Sequence, residues 1–415
     1  MIDFPFGEAA HARTGDAMTR RGFAAGCAAM ALGSLAGCLH RPHATYSVPL
    51  LGDVHYDTPP IDVFHSEFRR RHLTDGMFDR YRAEFEAYSS MWGEGGRSAA
   101  LVAASGKVRR ADAAFAMQLG DLIEGDCESS SAHRRMLSQA LDLMKRTYGD
   151  IPFLTVAGNH DVRSGRHRQG EFENYRRDIC AWHSRELDRR IDDITFSFMQ
   201  GPDLWIVADY NRPDIELVER LLCENRDARH TVFCTHGAVL TDGNRDRRRW
   251  FFLGYPQYSE NTGRRISPKE LEAAIPVWDA ARRRVRRLLA ERHAIVLSGH
   301  SHRLELRDWY GDGGRITEFV MNSVTRTVDG RDISAEPVVF AEKPSDFGRY
   351  RGKKPQPNDD GIDRLYAEYE AGIRRYYLAS AAGHAELIFS DEGVCANYYA
   401  LDSTRPCASF SLRGC

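Results

Sequence analysis

The chain has 415 residues, with 57 Lys and Arg against 59 Asp and Glu. Because the charges nearly balance, the chain has no large excess of positive charge, which argues against a general nucleic-acid binder. A hydrophobic content of 42% with 10% aromatic residues is that of a soluble globular protein, long enough for one large domain or two smaller ones.

The N-terminal residues carry features of an export signal. Arg20 and Arg21 precede an uncharged stretch, residues 23–36, whose 14 residues are too few to span a bilayer and match the apolar region of a signal peptide. The paired arginines resemble a twin-arginine signal, and Leu35-Ala36-Gly37-Cys38 resembles a bacterial lipobox. We therefore expect residues 1–38 to be an export signal that ends at a lipidated Cys38, followed by a linker at residues 39–45.

These resemblances imply a lipoprotein that is exported by the twin-arginine pathway, anchored to the membrane through Cys38, and faces the periplasm or cell exterior of a bacterium. A small buried helix is the alternative interpretation of the same stretch. Residues 1–17 do not resemble the start of such a signal, which favours Met18 as the true start.

From residue 46 onward, apolar runs of strand length alternate with predicted helices, which indicates an α/β fold. Strands are predicted at residues 47–53, 114–119, 151–157, 194–199, 204–208, 231–233, 294–297, 304–309 and 316–320, with a terminal hairpin at 384–390 and 394–401. Helices are predicted at residues 77–92, 132–148, 171–189, 213–224, 268–293 and 362–377. Three stretches without a recognisable motif are expected to be insertions that form the pocket walls, at about residues 56–112, 241–268 and 329–363.

The chain contains nine cysteines, and none forms a C-x-x-C pair, which argues against a structural zinc ribbon. Cys395 and Cys407 lie in and just after the terminal strand pair and could form a disulfide after export. Free buried thiols are the alternative.

Five short polar stretches closely follow five of the strand-like runs. They are Asp53-Val54-His55, Gly120-Asp121, Gly158-Asn159-His160-Asp161, His236 after residues 231–233, and Gly299-His300-Ser301-His302. Because open α/β sheets bind ligands where their strands end, we expect these side chains to meet at one edge of a sheet. Carboxylate, imidazole and amide oxygen are ligands that suit Mn, Fe and Zn. Seven such ligands are too many for one tetrahedral ion and suit two ions that share a carboxylate.

In this order the five stretches resemble the calcineurin-like metallophosphoesterase family, whose pattern is D-x-H, G-D, G-N-H-[DE], H and G-H-x-H. The match spans about residues 50–303. The resemblance implies a four-layer α/β/β/α sandwich, in which two sheets packed face to face are flanked by helices. It also implies hydrolysis of a phosphodiester or phosphomonoester by water that two metal ions activate.

The resemblance assigns a role to each residue of the pattern. Asp53, His55 and His302 would hold the first ion, Asn159, His236 and His300 would hold the second, and Asp121 would bridge them. His160 would assist the leaving group, as a general acid or as a cation beside the developing charge, and Asp161 would orient His160 by a hydrogen bond.

One position departs from a branch of the family. Purple acid phosphatases carry a tyrosine three positions after the G-D aspartate, whereas this chain has Glu124 there. The pattern therefore favours the D-x-H branch, and a ferric–tyrosinate centre is not expected. The Asp, His and Asn ligands accept Mn, Fe or Zn alike.

Two other functions are compatible with the same residues. A surface-anchored protein could use the metal pair to bind phosphate-bearing ligands without turnover, although such a binder would have no need of His160. A nuclease of the same fold would need a basic groove, and only the arginines at residues 245–249 and 282–287 hint at one. We therefore expect no specific nucleic-acid partner, and a phosphate ester as the substrate.

Overall fold

Two β-sheets form the centre of the fold. The computed structural model describes residues 46–57, 90–92, 96–125, 127, 129–164, 169–240, 267–325, 337–347 and 367–414. All of them lie in one compact unit, Thr45–Cys415. The predicted export signal and linker, the arginines at 245–249, and most of the predicted helix at 77–92 lie outside the described residues.

The strands are β1 Tyr46–Leu51, β2 Ala116–Gln118, β3 Phe153–Thr155, β4 Phe196–Gln200, β5 Asp203–Val207, β6 Thr231–Cys234, β7 Ile295–Ser298, β8 Leu304–Gly311, β9 Gly314–Val320, β10 Val338–Ala341, β11 Ile373–Ser380, β12 Gly383–Phe389, β13 Val394–Ala400 and β14 Ala408–Arg413. The helices are α1 Arg97–Lys107, α2 Ser130–Tyr148, α3 Phe172–Glu186, α4 Ile215–Glu224 and α5 Pro268–Glu291, with a 3₁₀ turn at Pro344–Asp346. One sheet has six strands in the order β14-β13-β12-β1-β2-β3, and the other has eight in the order β10-β11-β8-β9-β7-β6-β5-β4.

Alternating side chains of β5 show how the layers are built. Trp205 and Val207 point into a core that they share with residues of the six-stranded sheet, such as Leu50. Leu204 and Ile206 point the other way, into a second core formed with helices α4 and α5. Successive residues of a strand face opposite sides of the sheet, so β5 is buried on both faces.

Helices α1, α2 and α3 pack against strands β1, β3 and β12 of the six-stranded sheet, whereas α4 and α5 pack against the eight-stranded sheet. The two sheets therefore pack between two helical layers, and the predicted α/β sandwich is confirmed.

Helix ends follow local sequence signals. The Ser129 hydroxyl accepts the N–H of Ala132 at the start of α2, and Gly149 ends that helix with φ 68°. At the start of α5, Ser267 and Glu270 form a reciprocal capping box. In the turn between β8 and β9, Asp312 and Gly313 both have positive φ, as a two-residue type I′ turn requires.

The predicted helix at residues 362–377 is wrong over its second half. Residues 373–380 form strand β11, which pairs antiparallel with β8, and only residues 367–370 of the described part are helical. In β11, Ile373, Tyr376 and Leu378 are all buried, but a register shift between Ile373 and Arg375 interrupts the pairing with β8. Ile373 and Tyr376 are therefore three residues apart instead of two. That shift breaks the strict alternation from which a strand is recognised in sequence.

Three elements were not predicted. Helix α1 lies within the stretch taken as an insertion at residues 56–112, strand β10 lies within the one at 329–363, and β14 extends the terminal hairpin to three strands. The 56–112 stretch also supports the site, because the Trp92 indole N–H donates to the backbone oxygen of His55 at 3.1 Å.

The suggested Cys395–Cys407 disulfide does not form. Cys395 is disulfide-bonded, whereas Cys407 has a free thiol, as do the other described cysteines. Among the helices that the structure describes, none combines the length and apolarity needed to cross a lipid bilayer.

A buried ion pair fixes the backbone that follows β6. Arg307 and Glu318 are fully buried, and Arg307 Nη1 lies 2.9 Å from Glu318 Oε2. Glu318 Oε1 accepts the N–H of Val239 at 2.6 Å, and Arg307 donates to the backbone oxygen of Leu240 at 2.8 Å. Glu305 contacts the same guanidinium. The chain just after His236 is therefore held by buried charges.

We expect Arg307→Met to lower the free energy of unfolding by about 3–5 kcal/mol, because it leaves the two glutamates buried without their cation. Urea denaturation monitored by circular dichroism would measure this. Arg190→Met is the matched control: its ion pair with Asp192 is 86% and 68% exposed, and exposed pairs contribute at most about 1 kcal/mol. Equal midpoints for the two variants would contradict the role of the buried pair.

Candidate metal centre

All the sequence-predicted site residues lie at the ends of five parallel strands. Asp53 and His55 follow β1, Asp121 follows β2, and Asn159 to Asp161 follow β3, all in the six-stranded sheet. His236 follows β6, and His300 and His302 follow β7, in the eight-stranded sheet. The site is thus built from two sheets, which corrects the expectation that one sheet edge would carry every side chain.

One group of side chains consists of Asp53, His55 and His302, whose ligand atoms lie within 4.8 Å of one another. His302 Nε2 lies 2.9 Å from Asp53 Oδ2 and 3.1 Å from His55 Nε2. Asp53 is fully buried. Burial opposes its ionisation, but the neighbouring imidazoles of His302 and His236 hold the pKa of Asp53 below its usual value.

A second group consists of Asp121, His236 and His300, again within 4.8 Å. His236 Nε2 lies 3.2 Å from Asp121 Oδ2, 3.2 Å from Asn159 Oδ1 and 2.9 Å from His300 Nδ1. Burial lowers the pKa of His236, but the Asp121 carboxylate outweighs it and raises that pKa to about 9. The carboxylates of Asp53 and Asp121 therefore stabilise positive charge in this cluster, and either protons on the imidazoles or metal ions can supply that charge.

Asp121 links the two groups. Its Oδ2 lies 3.2 Å from His236 Nε2 and 3.8 Å from His55 Nε2, while its Oδ1 accepts the N–H of His160 at 2.7 Å. Burial would raise the pKa of Asp121, but His236 and His160 hold it well below the usual range. The position of this carboxylate is the one that a bridging ligand between two ions requires.

The residues present fit a metal pair. Asp53 Oδ2 is buried and meets no hydrogen-bond donor in a favourable direction within the described structure, although Oδ1 accepts the N–H of His300 at 2.8 Å. A buried carboxylate oxygen without a hydrogen bond is costly unless a cation binds it. Asp, His and Asn donors of this kind suit Mn, Fe or Zn.

Further contacts orient the imidazoles, and sequence analysis did not predict them. His55 Nδ1 lies 2.9 Å from Glu124 Oε2, and His236 Nδ1 lies 2.8 Å from the backbone oxygen of Leu119. Contacts of this type fix the tautomer and turn Nε2 toward a metal. The sequence could have indicated Glu124, because it lies only three residues after Asp121. Tyr210 follows β5, and its hydroxyl lies 3.5 Å from His300 Nε2. No sequence motif indicates this residue.

Asp161 does not orient His160 as predicted. Its Oδ2 accepts the backbone N–H groups of Asp121 at 2.9 Å and Gly158 at 2.8 Å, and its Oδ1 accepts that of Ile123 at 3.1 Å. The reason is that both loops turn sharply after short strands, which leaves buried N–H groups without partners in the sheet. Asp161 therefore ties the Asp121 and Asn159 loops together.

His160 lies at the rim of the cluster, where its Nδ1 contacts the backbone oxygen of Glu124 at 2.8 Å. It also forms a third group with His55 and Asp121, within 4.8 Å, that could hold an ion. Burial, together with the nearby charge of Arg163, lowers the pKa of His160 to about 3, so the ring is neutral in the metal-free chain.

The backbone of the site adopts uncommon conformations. His55, Asp121, His300 and His302 all have positive φ, between 49° and 67°. Tight approaches accompany these turns: a Cβ added at Gly299 would lie 2.3 Å from Asp53 Oδ1. The glycine before His300 is thus required because a side chain there would displace a candidate ligand.

Comparison with known families agrees with this geometry. The model of the calcineurin-like phosphoesterase family matches residues 47–304, more than half of the chain. The chain belongs to the calcineurin-like phosphoesterase family. All the residues grouped above fall within the matched range, and the clustered His and Asp side chains indicate a dinuclear metal site.

Solved structures of similar proteins include PhoD, with 13% sequence identity, a TM-score of 0.42, and coverage of 89% of this chain and 69% of that chain. A dimetal phosphatase from Danio rerio has 10% identity and a TM-score of 0.42, with 90% and 100% covered. GAP50 from Plasmodium, described as the anchor in the inner membrane complex, has 11% identity and a TM-score of 0.36, with 89% of each chain covered. Comparison with curated proteins gives no match.

We expect the Mn-loaded calcineurin-like domain to retain two ions per chain after gel filtration, and Asp121→Asn to retain fewer, because the amide keeps the acceptor for His160 but removes the shared charge. Metal analysis by mass spectrometry would measure this, and Mn should raise the melting temperature of the unsubstituted chain more than that of the variant. Asp192→Asn, at a side chain that is 68% exposed, is the control. Full metal content in Asp121→Asn would contradict the bridging role.

Proposed function

We propose that the chain hydrolyses a phosphomonoester or phosphodiester at a pair of Mn, Fe or Zn ions. Asp53, His55 and His302 would hold one ion, Asn159, His236 and His300 the other, and Asp121 both. The observation that carries this proposal is the Asp121 carboxylate, whose Oδ2 lies 3.2 Å from His236 Nε2 in one group and 3.8 Å from His55 Nε2 in the other. When bound, the ions would supply positive charge at the phosphoryl oxygens and lower the pKa of an attacking water.

His160 would assist departure of the alcohol. Its Nδ1 is occupied by the Glu124 carbonyl, so Nε2 is the atom that can exchange a proton with the leaving oxygen. The ring is neutral in the metal-free chain because of burial and because of Arg163. The negative charge of a bound phosphate would oppose both effects and favour the protonated ring.

The first test is turnover of a chromogenic aryl phosphate and of the matching diaryl phosphate by the Mn-loaded chain from about residue 42 onward. We expect hydrolysis of at least one of them, and its loss in Asp121→Asn. Two bound ions with no turnover of either ester would favour the binding-protein interpretation instead.

His160→Gln separates acid catalysis from a structural role. An aryl oxide leaves readily without a proton, whereas an alkoxide does not, so we expect the variant to lose about 100-fold or more in kcat on an alkyl phosphate but much less on an aryl phosphate. Equal losses on both esters would contradict proton donation by His160.

We also propose that the chain is exported and anchored to a membrane through a lipid on Cys38. Arg20-Arg21, the short uncharged stretch after them and Leu35-Ala36-Gly37-Cys38 support this, as sequence features only. Labelling of cells with a tritiated fatty acid should mark the full chain but not Cys38→Ser. Equal labelling of the two chains would exclude the anchor.

A further inference from the structure

An arginine outside the five motifs reaches the metal centre. Arg163 Nη1 lies 2.8 Å from His160 Nε2 and 3.2 Å from His160 Nδ1. His160 in turn has a ligand atom within 4.8 Å of those of His55 and Asp121. The guanidinium therefore lies one side chain away from the place where a phosphoryl group would bind.

The backbone around Arg163 is held firmly. Its N–H donates to the backbone oxygen of His160 at 3.2 Å, and the adjacent Val162 is fully buried. Gly125 packs beneath this turn so closely that an added Cβ would lie 2.1 Å from the His160 oxygen. Arg163 itself is only partly buried. A fixed backbone therefore places the permanent positive charge of a partly exposed arginine beside His160.

We infer that Arg163 binds a phosphoryl oxygen of the substrate and favours esters with a terminal phosphate group, that is, phosphomonoesters. This inference rests on the proposed function, which leaves the choice between monoester and diester open. It adds to the site a cation that belongs to the chain itself.

The inference is supported by comparing the two hydrogen-bond acceptors that Arg163 can contact, which are the His160 ring and a phosphate oxygen. An arginine can only donate hydrogen bonds, so in the present contact it faces a neutral imidazole. A phosphate oxygen carries negative charge, so it adds to the hydrogen bond a Coulomb attraction for the guanidinium that a neutral ring does not offer. Arg163 is therefore expected to turn from His160 to a bound phosphate. That movement would also release His160 Nε2 for the leaving group.

The same reasoning gives the preference among esters. A phosphomonoester has three non-bridging oxygens and carries up to two negative charges, whereas a diester has two such oxygens and one charge. An added cation at the site therefore stabilises a bound monoester more than a bound diester. Inorganic phosphate, the product of monoester hydrolysis, should bind to the same group.

The test compares Arg163→Ala, Arg163→Lys and the control Arg134→Ala in the Mn-loaded chain. Arg134 is a surface arginine, 47% exposed, that pairs with Asp178. We would measure kcat and KM for an aryl phosphate and a diaryl phosphate, inhibition by inorganic phosphate, and phosphate binding by calorimetry. Arg163→Ala should raise KM for the monoester and the inhibition constant for phosphate about ten-fold or more, the size expected for one charged hydrogen bond.

For the diester, KM should rise much less, and Arg163→Lys should lie between the alanine variant and the unsubstituted chain, since it keeps the charge but not the fork of donors. Arg134→Ala should change none of these values. Unchanged phosphate affinity in Arg163→Ala would overturn the inference. Equal losses of kcat on both esters, with unchanged KM, would also overturn it and would show that Arg163 only positions His160.

Failure of this inference can be told apart from failure of the proposed function. If the unsubstituted chain hydrolyses neither ester, the proposed function fails. The calorimetric titration with inorganic phosphate does not depend on turnover and would still decide whether Arg163 binds phosphate.

Discussion

Two buried aspartates determine how the site is assembled, because each divides its two oxygens between backbone and imidazole. Asp53 Oδ1 accepts the N–H of His300, and Asp121 Oδ1 accepts that of His160. The second oxygens face His302 and His236. Each carboxylate thus holds the loop of another candidate ligand while presenting a charged oxygen to the cluster. The same two residues therefore position the other side chains and supply the negative charge that a bound cation would neutralise.

This arrangement is costly for the fold. Buried carboxylates lose their hydration, and left-handed conformations at four of the candidate ligands cost about 1–3 kcal/mol each. The surrounding structure offsets these costs. Asp161 accepts three backbone N–H groups, and the sheets bury a continuous apolar core beneath the site. In such a site a bound cation stabilises the folded chain as well as supplying its chemistry.

Much of this could be predicted from the sequence, because the information is local. Asp, His and Asn directly after apolar runs indicate strand ends, and the order of the five motifs resembles one family closely enough to imply the sandwich. What could not be predicted depends on contacts between distant segments. Tyr210 follows a strand without a motif, Asp161 serves backbone groups of two loops, and β11 is a strand because β8 lies beside it. Such contacts have no periodicity in the sequence to reveal them.

The two sheets make unequal contributions, and that difference bears on specificity. The six-stranded sheet supplies both aspartates, His160 and Arg163, whereas the eight-stranded sheet supplies three imidazoles. The buried charges of Arg307 and Glu318 hold the chain that follows one of these, His236. The shared Asp121 carboxylate and the guanidinium proposed to bind the phosphate therefore come from neighbouring loops, after β2 and β3. Asp161 joins those two loops, so a shift in one would move both the shared carboxylate and the guanidinium. Substrate preference and metal binding are then expected to be coupled through this single pair of loops.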